Sequence, residues 1–326
     1  MRRLALLLLL AAMMTNLAHS EPAPSDPAWP SRPIRFIVPF PPGGSTDVVA
    51  RIVGQMLGAR LGQQFVIENR VGASGALGTE AVARAAPDGY TLALATTTTH
   101  ALIPSLARTP SYDAVKDFAP VSLIGSSPFV LVTSPALPAK NVSEFIALAK
   151  AKDGALTAGS AGSASLAHLA ALLFANMAGV KFTHVPYKAS AQSVTDLMTG
   201  RLDMQFATVG PVLPLIRESK LRALAIASAQ RSALLPDVPT FAEAGLAGYE
   251  AALWMAVVLP AATSPAIVRR LNGEIVEALN SPEAKNVLAA QGIDTAASTP
   301  EGLAAYIRDE IGKWRGVIAK AGLQAE

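Results

Sequence analysis

The sequence predicts an α/β protein of two lobes, each a mainly parallel sheet flanked by helices. Three observations predict it. Apolar runs of strand length alternate with segments of helical periodicity, and a small-residue loop feeding a helix amino terminus occurs twice. Two apolar segments, Val121 to Val132 and Glu250 to Leu259, are placed to carry the chain from one unit to the other and back. Strands alternating with helices at this spacing place parallel strands side by side with helices on both faces. Two crossings make the first lobe discontinuous, 32–124 with 251–326, around a second lobe at 125–250, with a hinge near 121–132 and 248–258. A chain of 326 residues that is 51% hydrophobic can supply a core to each.

Ahead of the first lobe, Arg2 and Arg3 precede the apolar run Leu4 to Met14, and Ala18-His19-Ser20 sets small residues at the minus-three and minus-one positions of a cut before Glu21. Residues 1–20 therefore read as a secretory signal peptide, and the proline-rich 21–31 as a leader without regular structure. The apolar run is too short to span a bilayer, and no later stretch reaches the roughly 18 apolar residues a spanning helix needs. The expectation is an exported protein that is not membrane-anchored. Loss of Arg2 and Arg3 leaves 25 basic residues against 24 acidic ones. That balance offers no electrostatic argument for nucleic acid or a membrane surface. With no cysteine in the chain, disulfides, thiolate chemistry and a lipid-modified amino-terminal cysteine are excluded. In a Gram-negative cell such a protein moves freely in the periplasm.

The first lobe opens on FIVPFPPGGSTDVVARIVGQML (36–57). Apolar residues of strand character meet Pro41-Pro42-Gly43-Gly44, and Ser45 and Thr46 begin a segment with apolar positions at 48, 49, 52, 53, 56 and 57. The first amides of such a helix have no internal partner and its dipole favours negative charge, so Pro42, Gly43, Gly44, Ser45, Thr46 and Asp47 form a candidate cradle for a carboxylate or phosphate. The alternative is a plain corner capped by Ser45, Thr46 or Asp47. Asp47 has the residue type of a base, but in a first helical turn its commoner role is to hold free backbone amides. Gln64 to Glu68 reads as the second strand, Asn69 to Gly78 as a glycine-rich loop into a helix at Thr79 to Ala86, and Tyr90 to Ala95 as the third strand.

The second lobe repeats this alternation, with strands at Phe129 to Thr133, Leu156 to Gly159, Thr183 to Tyr187, Leu202 to Thr208 and Arg222 to Ala227, and helices at Val142 to Lys150, Leu166 to Met177, Ala191 to Thr199 and Val212 to Glu218. Thr240 and Glu243 make a capping box. The final third is mostly helical, with starts at Ser264-Pro265, Ser281-Pro282 and Thr299-Pro300. Ser160 to Ser165 is the counterpart of the opening loop, and the two loops facing across a cleft would grip the ends of a small anion. His168, in the first helical turn, and His100, closing the run Thr96 to Thr99, have the chemistry to donate to a carboxylate; satisfying a nearby carbonyl is the ordinary alternative. Tyr187 ends a strand on the side where open parallel sheets put ligands. Trp254 sits at a crossing, and core packing suits Phe40 better than the cleft.

Enzyme signatures are missing: no GxSxG elbow, no GxxxxGK[ST] loop, and no dinucleotide fingerprint in Gly72, Gly75 and Gly78. Three histidines in the chain after the expected signal peptide, far apart and without HExxH spacing, make a weak case for metal, and no loop matches the calcium-binding EF-hand. No catalytic residue, metal or cofactor is assigned.

The segments IVPFPPGGSTD (37–47), VIENRVGASGALG (66–78), APDGYTLAL (86–94), HVPYKASA (184–191), LPDVPTFAEAG (235–245) and STPEGLAAYIRDEIGKW (298–314) resemble, in order, the Bug family. These are extracytoplasmic solute receptors similar to the binding component of tripartite tricarboxylate transporters. The resemblance implies a two-lobed, hinged periplasmic binding protein of type II, a Venus-flytrap, that closes on a small carboxylated solute and delivers it to a membrane permease. It further implies that backbone amides, small hydroxyl residues and bridging waters hold the carboxylate, here at Pro42 to Asp47 and at Gly162, Ser163, Ala164, Ser165 and His168. Thr97, His100, Tyr187, Ala189 and Thr208 complete the candidate set. Where the family commonly has glycine in the second loop and after VPYK, this chain has Ala164, Ala189 and Ser190, and Thr208-Val209-Gly210-Pro211 lacks the polar side chains often seen there. Added methyl groups narrow and dry a pocket, so the expected ligand is less polar than an amino acid or differently shaped. Two other readings are weighed: a ligand sensor that signals to a partner protein without transport, and an exported hydrolase using Ser163 or Ser165 with His168.

Overall fold

The computed structural model describes residues 29–323. The expected signal peptide and most of the expected leader lie outside the described residues. In the first lobe β1 (Ile34–Val38) turns into α1 (Ser45–Leu61), β2 (Phe65–Asn69) leads through a 3-10 turn at Ala73–Gly75 into α2 (Ala76–Ala83), and β3 (Thr91–Thr96) leads through a π-helical turn at Thr98–Leu102 into the short α3 (Ile103–Leu106). β4 (Phe118–Thr133) enters the second lobe, which holds α4 (Val142–Lys152), β5 (Thr157–Ser160), α5 (Leu166–Ala178), β6 (Thr183–Pro186), α6 (Ser190–Met198), β7 (Met204–Thr208), α7 (Val209–Arg217) and β8 (Arg222–Ile226). The chain returns through β9 (Ala252–Pro260) to α8 (Pro265–Asn280), α9 (Pro282–Ala290), β10 (Asp294–Thr295) and α10 (Pro300–Ala321).

The apolar stripe of α1 does what its spacing demands. Val49, Val53 and Leu57 are buried against the first sheet, beside Ile34, Phe36 and Val38 of β1. All three Ser/Thr-Pro starts are formed: Ser264, Ser281 and Thr299 accept from the backbone N–H of Ala266, Ala284 and Gly302. The helix after β2 begins at Ala76, three residues before the expected Thr79, because the 3-10 turn supplies its first turn.

β4 is one strand serving two sheets. Phe118 to Pro128 pair antiparallel with β9, while Phe129 to Thr133 lie antiparallel to β7 and Val130 to Thr133 also to β8. The first sheet therefore runs β2-β1-β3-β9-β4 and the second β6-β5-β7-β4-β8, with the outer three strands of each parallel. Sequence reasoning separated the crossing at Val121 to Val132 from a strand at Phe129 to Thr133; pairing is continuous enough along both partners to merge them. The return is fastened at Ala251, whose C=O accepts from Phe129 N–H and whose N–H donates to Ala227 C=O, each at 3.0 Å.

The largest core cluster passes from one lobe to the other and includes Trp254 of β9, Trp314 of α10 and the aromatic group Phe174, Phe206, Phe241 and Tyr249. Trp254 is wholly buried, and its indole N–H and that of Trp314 both donate to Glu310 Oε2 at 3.0 Å. Lys313 pairs with the same carboxylate.

Candidate functional site

Loops at the carboxyl ends of parallel strands from both sheets meet around one cavity of about 970 Å³. Phe40 after β1, Ala73, Ser74 and Ala76 after β2, and, after β3, Thr98, Leu102, Ile103 and Leu106 with Ala107 and 109–111 form the first-lobe wall. Ala161, Ser163, Ala164, Ser165 and Leu166, after β5, form the second, and Leu323 beyond α10 closes one side.

In the first-lobe loop Gly43 has φ +80°, a left-handed angle open chiefly to glycine, whereas Gly44 has φ −76°, which any residue adopts. The use of Gly44 is thus its missing side chain. No side chain caps α1 in the usual way. Asp47, 3% exposed, instead reaches back to accept from Gly43 N–H at 2.9 Å, from Asn69 Nδ2 at 2.9 Å and from Arg51 Nε at 3.0 Å. Burial works against its charged form, but the bonds from Arg51, Gly43 and Asn69 outweigh burial and lower its pKa to about 2. Asp47 therefore holds the loop in shape. Because its folded pKa lies below the 3.8 of the free side chain, ionised Asp47 contributes stability that is complete above that value and is lost as pH falls toward 2. Denaturation followed against pH should show this loss, worth about 2 kcal/mol, in the wild-type protein and not in Asp47→Asn.

The second-lobe loop is organised by a pair of imidazoles. Ser165 caps α5 by accepting from His168 N–H at 3.3 Å, and His168 Nδ1 accepts from Ala164 N–H at 3.1 Å. The His168 ring stacks on His184 with centroids 3.6 Å apart and planes 6° from parallel. His184 Nε2 in turn meets the buried hydroxyl of Ser160 at 2.7 Å. Burial, aided by the neighbouring His184, lowers the His168 pKa to about 4, and burial lowers that of His184. Both rings are neutral at pH 7, which leaves Nδ1 of His168 free to accept. At the mouth of α5 the amides of Leu166 and Ala167 have no acceptor within the helix, and the dipole makes this end favourable for an anion.

Backbone strain collects here as well. Ala73, Ser74 and Ala164 have φ of +46°, +55° and +58°, and all three line the cavity. Each left-handed non-glycine residue costs of order 1 kcal/mol, a cost that tends to survive at ligand sites. Gly75 lies beneath them at φ +100°, where a Cβ would come within 2.9 Å of Thr99 Cγ2 and 3.3 Å of Phe40 Cζ.

The structure brings together some of the residues singled out from sequence. Ser163, Ala164 and Ser165 face the cavity, with Gly162 and His168 behind them. Pro42, Gly43, Gly44 and Ser45 are exposed at the end of β1, and Thr46 and Asp47 are buried in the turn. Thr97 is buried and bridges strands, donating to Ala252 C=O and accepting from Trp254 N–H, both at 3.0 Å. His100 is fully buried; its Nδ1 meets Thr99 Oγ1 at 3.0 Å, its ring lies 4.8 Å from Phe118, and burial lowers its pKa to about 3. Tyr187 donates to Asp196 at 2.8 Å, Ala189 is exposed before α6, and Thr208 ends β7. Phe40, assigned to the core from sequence, lines the cavity instead, with its ring edge close over Gly75, where a Cβ would come within 3.3 Å of Phe40 Cζ. Ser74, Thr98, Ile103, Leu106 and Leu323 were not singled out. For Ser74 a signal existed: the glycine-rich loop 69–78 follows β2 at the same sheet edge as the loop after β1.

Among the described residues no group of three or more His, Cys, Asp or Glu side chains is placed to hold a metal. No described helix is long and apolar enough to cross a membrane.

Two lobes sharing a strand, with strand-end loops of both around one cleft, define the class of periplasmic solute-binding proteins. The model of the tripartite tricarboxylate transporter family receptor matches residues 49–323, and the chain belongs to that family. It is similar to the protein BugT of Bordetella pertussis, 40% identical over 97% of each chain. Among solved structures it is similar to R. palustris Rpa4515 with adipate (36% identity, 91% of this chain and 99% of that one, TM-score 0.77). It is also similar to MatC from Rhodopseudomonas palustris with bound malate (33% identity, 89% and 100%, TM-score 0.73).

Proposed function

We propose that this protein is an exported periplasmic receptor that captures a small carboxylate between its lobes and presents it to the membrane permease of a tripartite tricarboxylate-type transporter. The observation that carries the reading is the cavity walled by both lobes with the amino terminus of α5, at Ser165 and Leu166, in its lining. The family and the acids bound by its relatives support it. The lobes are 32–124 with 251–326 and 125–250; they move about β4 and the return at Ala251. The loop 162–168 holds the acid with Ser74 and Thr98, and closure brings the loop 42–47, which lies outside the lining of this cavity, against it. Binding that prefers the closed form shifts a pre-existing equilibrium toward it, and the permease reads that shape. No chemical step is assigned. Ser165 is occupied as a helix cap, Nδ1 of His168 is taken by Ala164 N–H, and Ser160, which does meet a histidine, is fully buried.

A thermal-shift screen of the mature protein tests this. Ligand at about 100 times its Kd adds about 2.7 kcal/mol to the folded state. Adipate or another di- or tricarboxylate should raise the melting temperature while its amide does not. No shift from any carboxylate would overturn the reading.

A further inference from the structure

The cavity has an apolar wall as well as an anion corner. Leu102, Ile103 and Leu106 face it from the segment after β3, Leu323 from the end of α10, Phe40 from the β1 loop and Leu166 from the start of α5. Ile103, Leu106 and Leu323 pack on the main core yet stay partly uncovered, so the edge of that core opens into the cleft. Leu323 arrives there because α10 lies along both β4 and α5. Among the described residues the lining contains no charged side chain, and its polar side chains are the hydroxyls of serine and threonine. A hydroxyl or ammonium group carried along Ile103, Leu106 and Leu323 would lose its hydration there without gaining a partner from those side chains. A methylene laid on the same wall leaves water and is stabilised.

We propose that this receptor selects carboxylic acids with a long, unsubstituted hydrocarbon body. The carboxylate sits at the amino terminus of α5 and the body lies along Ile103, Leu106 and Leu323. This rests on the carboxylate reading above and adds the chemistry of what the carboxylate is attached to.

Isothermal titration of the mature protein with succinate, adipate, suberate, malate and glutamate tests it. The Kd should fall about fourfold for each added methylene until the wall is covered. Malate and glutamate should bind more weakly than adipate. Leu106→Ser and Leu323→Ser should each weaken suberate several-fold more than succinate, and because both residues pack on the core the succinate affinity and melting temperature of each variant serve as its folding control. Malate or glutamate binding more tightly than adipate, or affinity independent of chain length, would overturn the proposal and leave the carboxylate reading standing. Absence of binding by any acid would overturn both.

Discussion

Replacing Glu310 by alanine is expected to destabilise the protein by about 4 kcal/mol, measured by chemical denaturation. The variant leaves the indole N–H groups of Trp254 and Trp314 without their shared acceptor, in a region where both rings are wholly buried. Each buried donor left unpaired costs about 1–3 kcal/mol, and the emptied volume adds to that. Glu310→Gln keeps an amide oxygen in place and should lose less than half as much. Because Trp254 stands on β9 and Trp314 on the carboxyl-terminal helix, the carboxylate ties that helix to the strand by which the chain returns. Equal losses for the two variants would mean that packing, and not the shared acceptor, sets the cost.

The second large effect concerns binding. Leucine at position 163 should lower affinity for the best carboxylate found by thermal shift about 100-fold, because its side chain would stand between the cavity and the α5 amides whose bonds to a charged group are worth about 1.5–3 kcal/mol. Leucine at position 44 is expected to act alike from the other lobe. The backbone there accepts any residue, and the nearest atom to an added Cβ is Pro41 O at 3.6 Å, so the fold should be kept. Loss in Ser163→Leu with unchanged affinity in Gly44→Leu would place the carboxylate at the second-lobe loop alone.

Much of the fold was legible because it is written in local pattern. The period-3.6 stripe of α1, the Ser/Thr-Pro helix starts and the strand before each small-residue loop need only neighbours in sequence to act. That a small-residue loop leads into a helix amino terminus in each lobe was legible for the same reason, since Gly43-Gly44 before α1 and Gly162 to Ser165 before α5 are local sequence features. Thr97 and His100 show the limit. A polar run after a strand reads as an accessible loop, yet the π-helical turn rotates His100 into the aromatic interior against Phe118 and spends the Thr97 hydroxyl on β9, a strand more than 150 residues away. Phe40 errs in the opposite sense: a large apolar ring next to a strand suits a core, but the chain carries it over Gly75 of the β2 loop to the wall of the cavity.

The sequence by itself determined most of the elements, the two-lobed α/β class and the two small-residue loops that lead into helices, because each is set by composition or by spacing within a few residues, and the family through the likeness of whole segments. Only the tertiary structure decided that one strand serves both sheets, that two histidines from separate elements stack to shape the second loop, and that Leu323 at the far end of the chain faces the cavity. Those are contacts between segments distant in sequence, fixed by how sheets and helices pack, and no local pattern encodes which distant side chain will meet which.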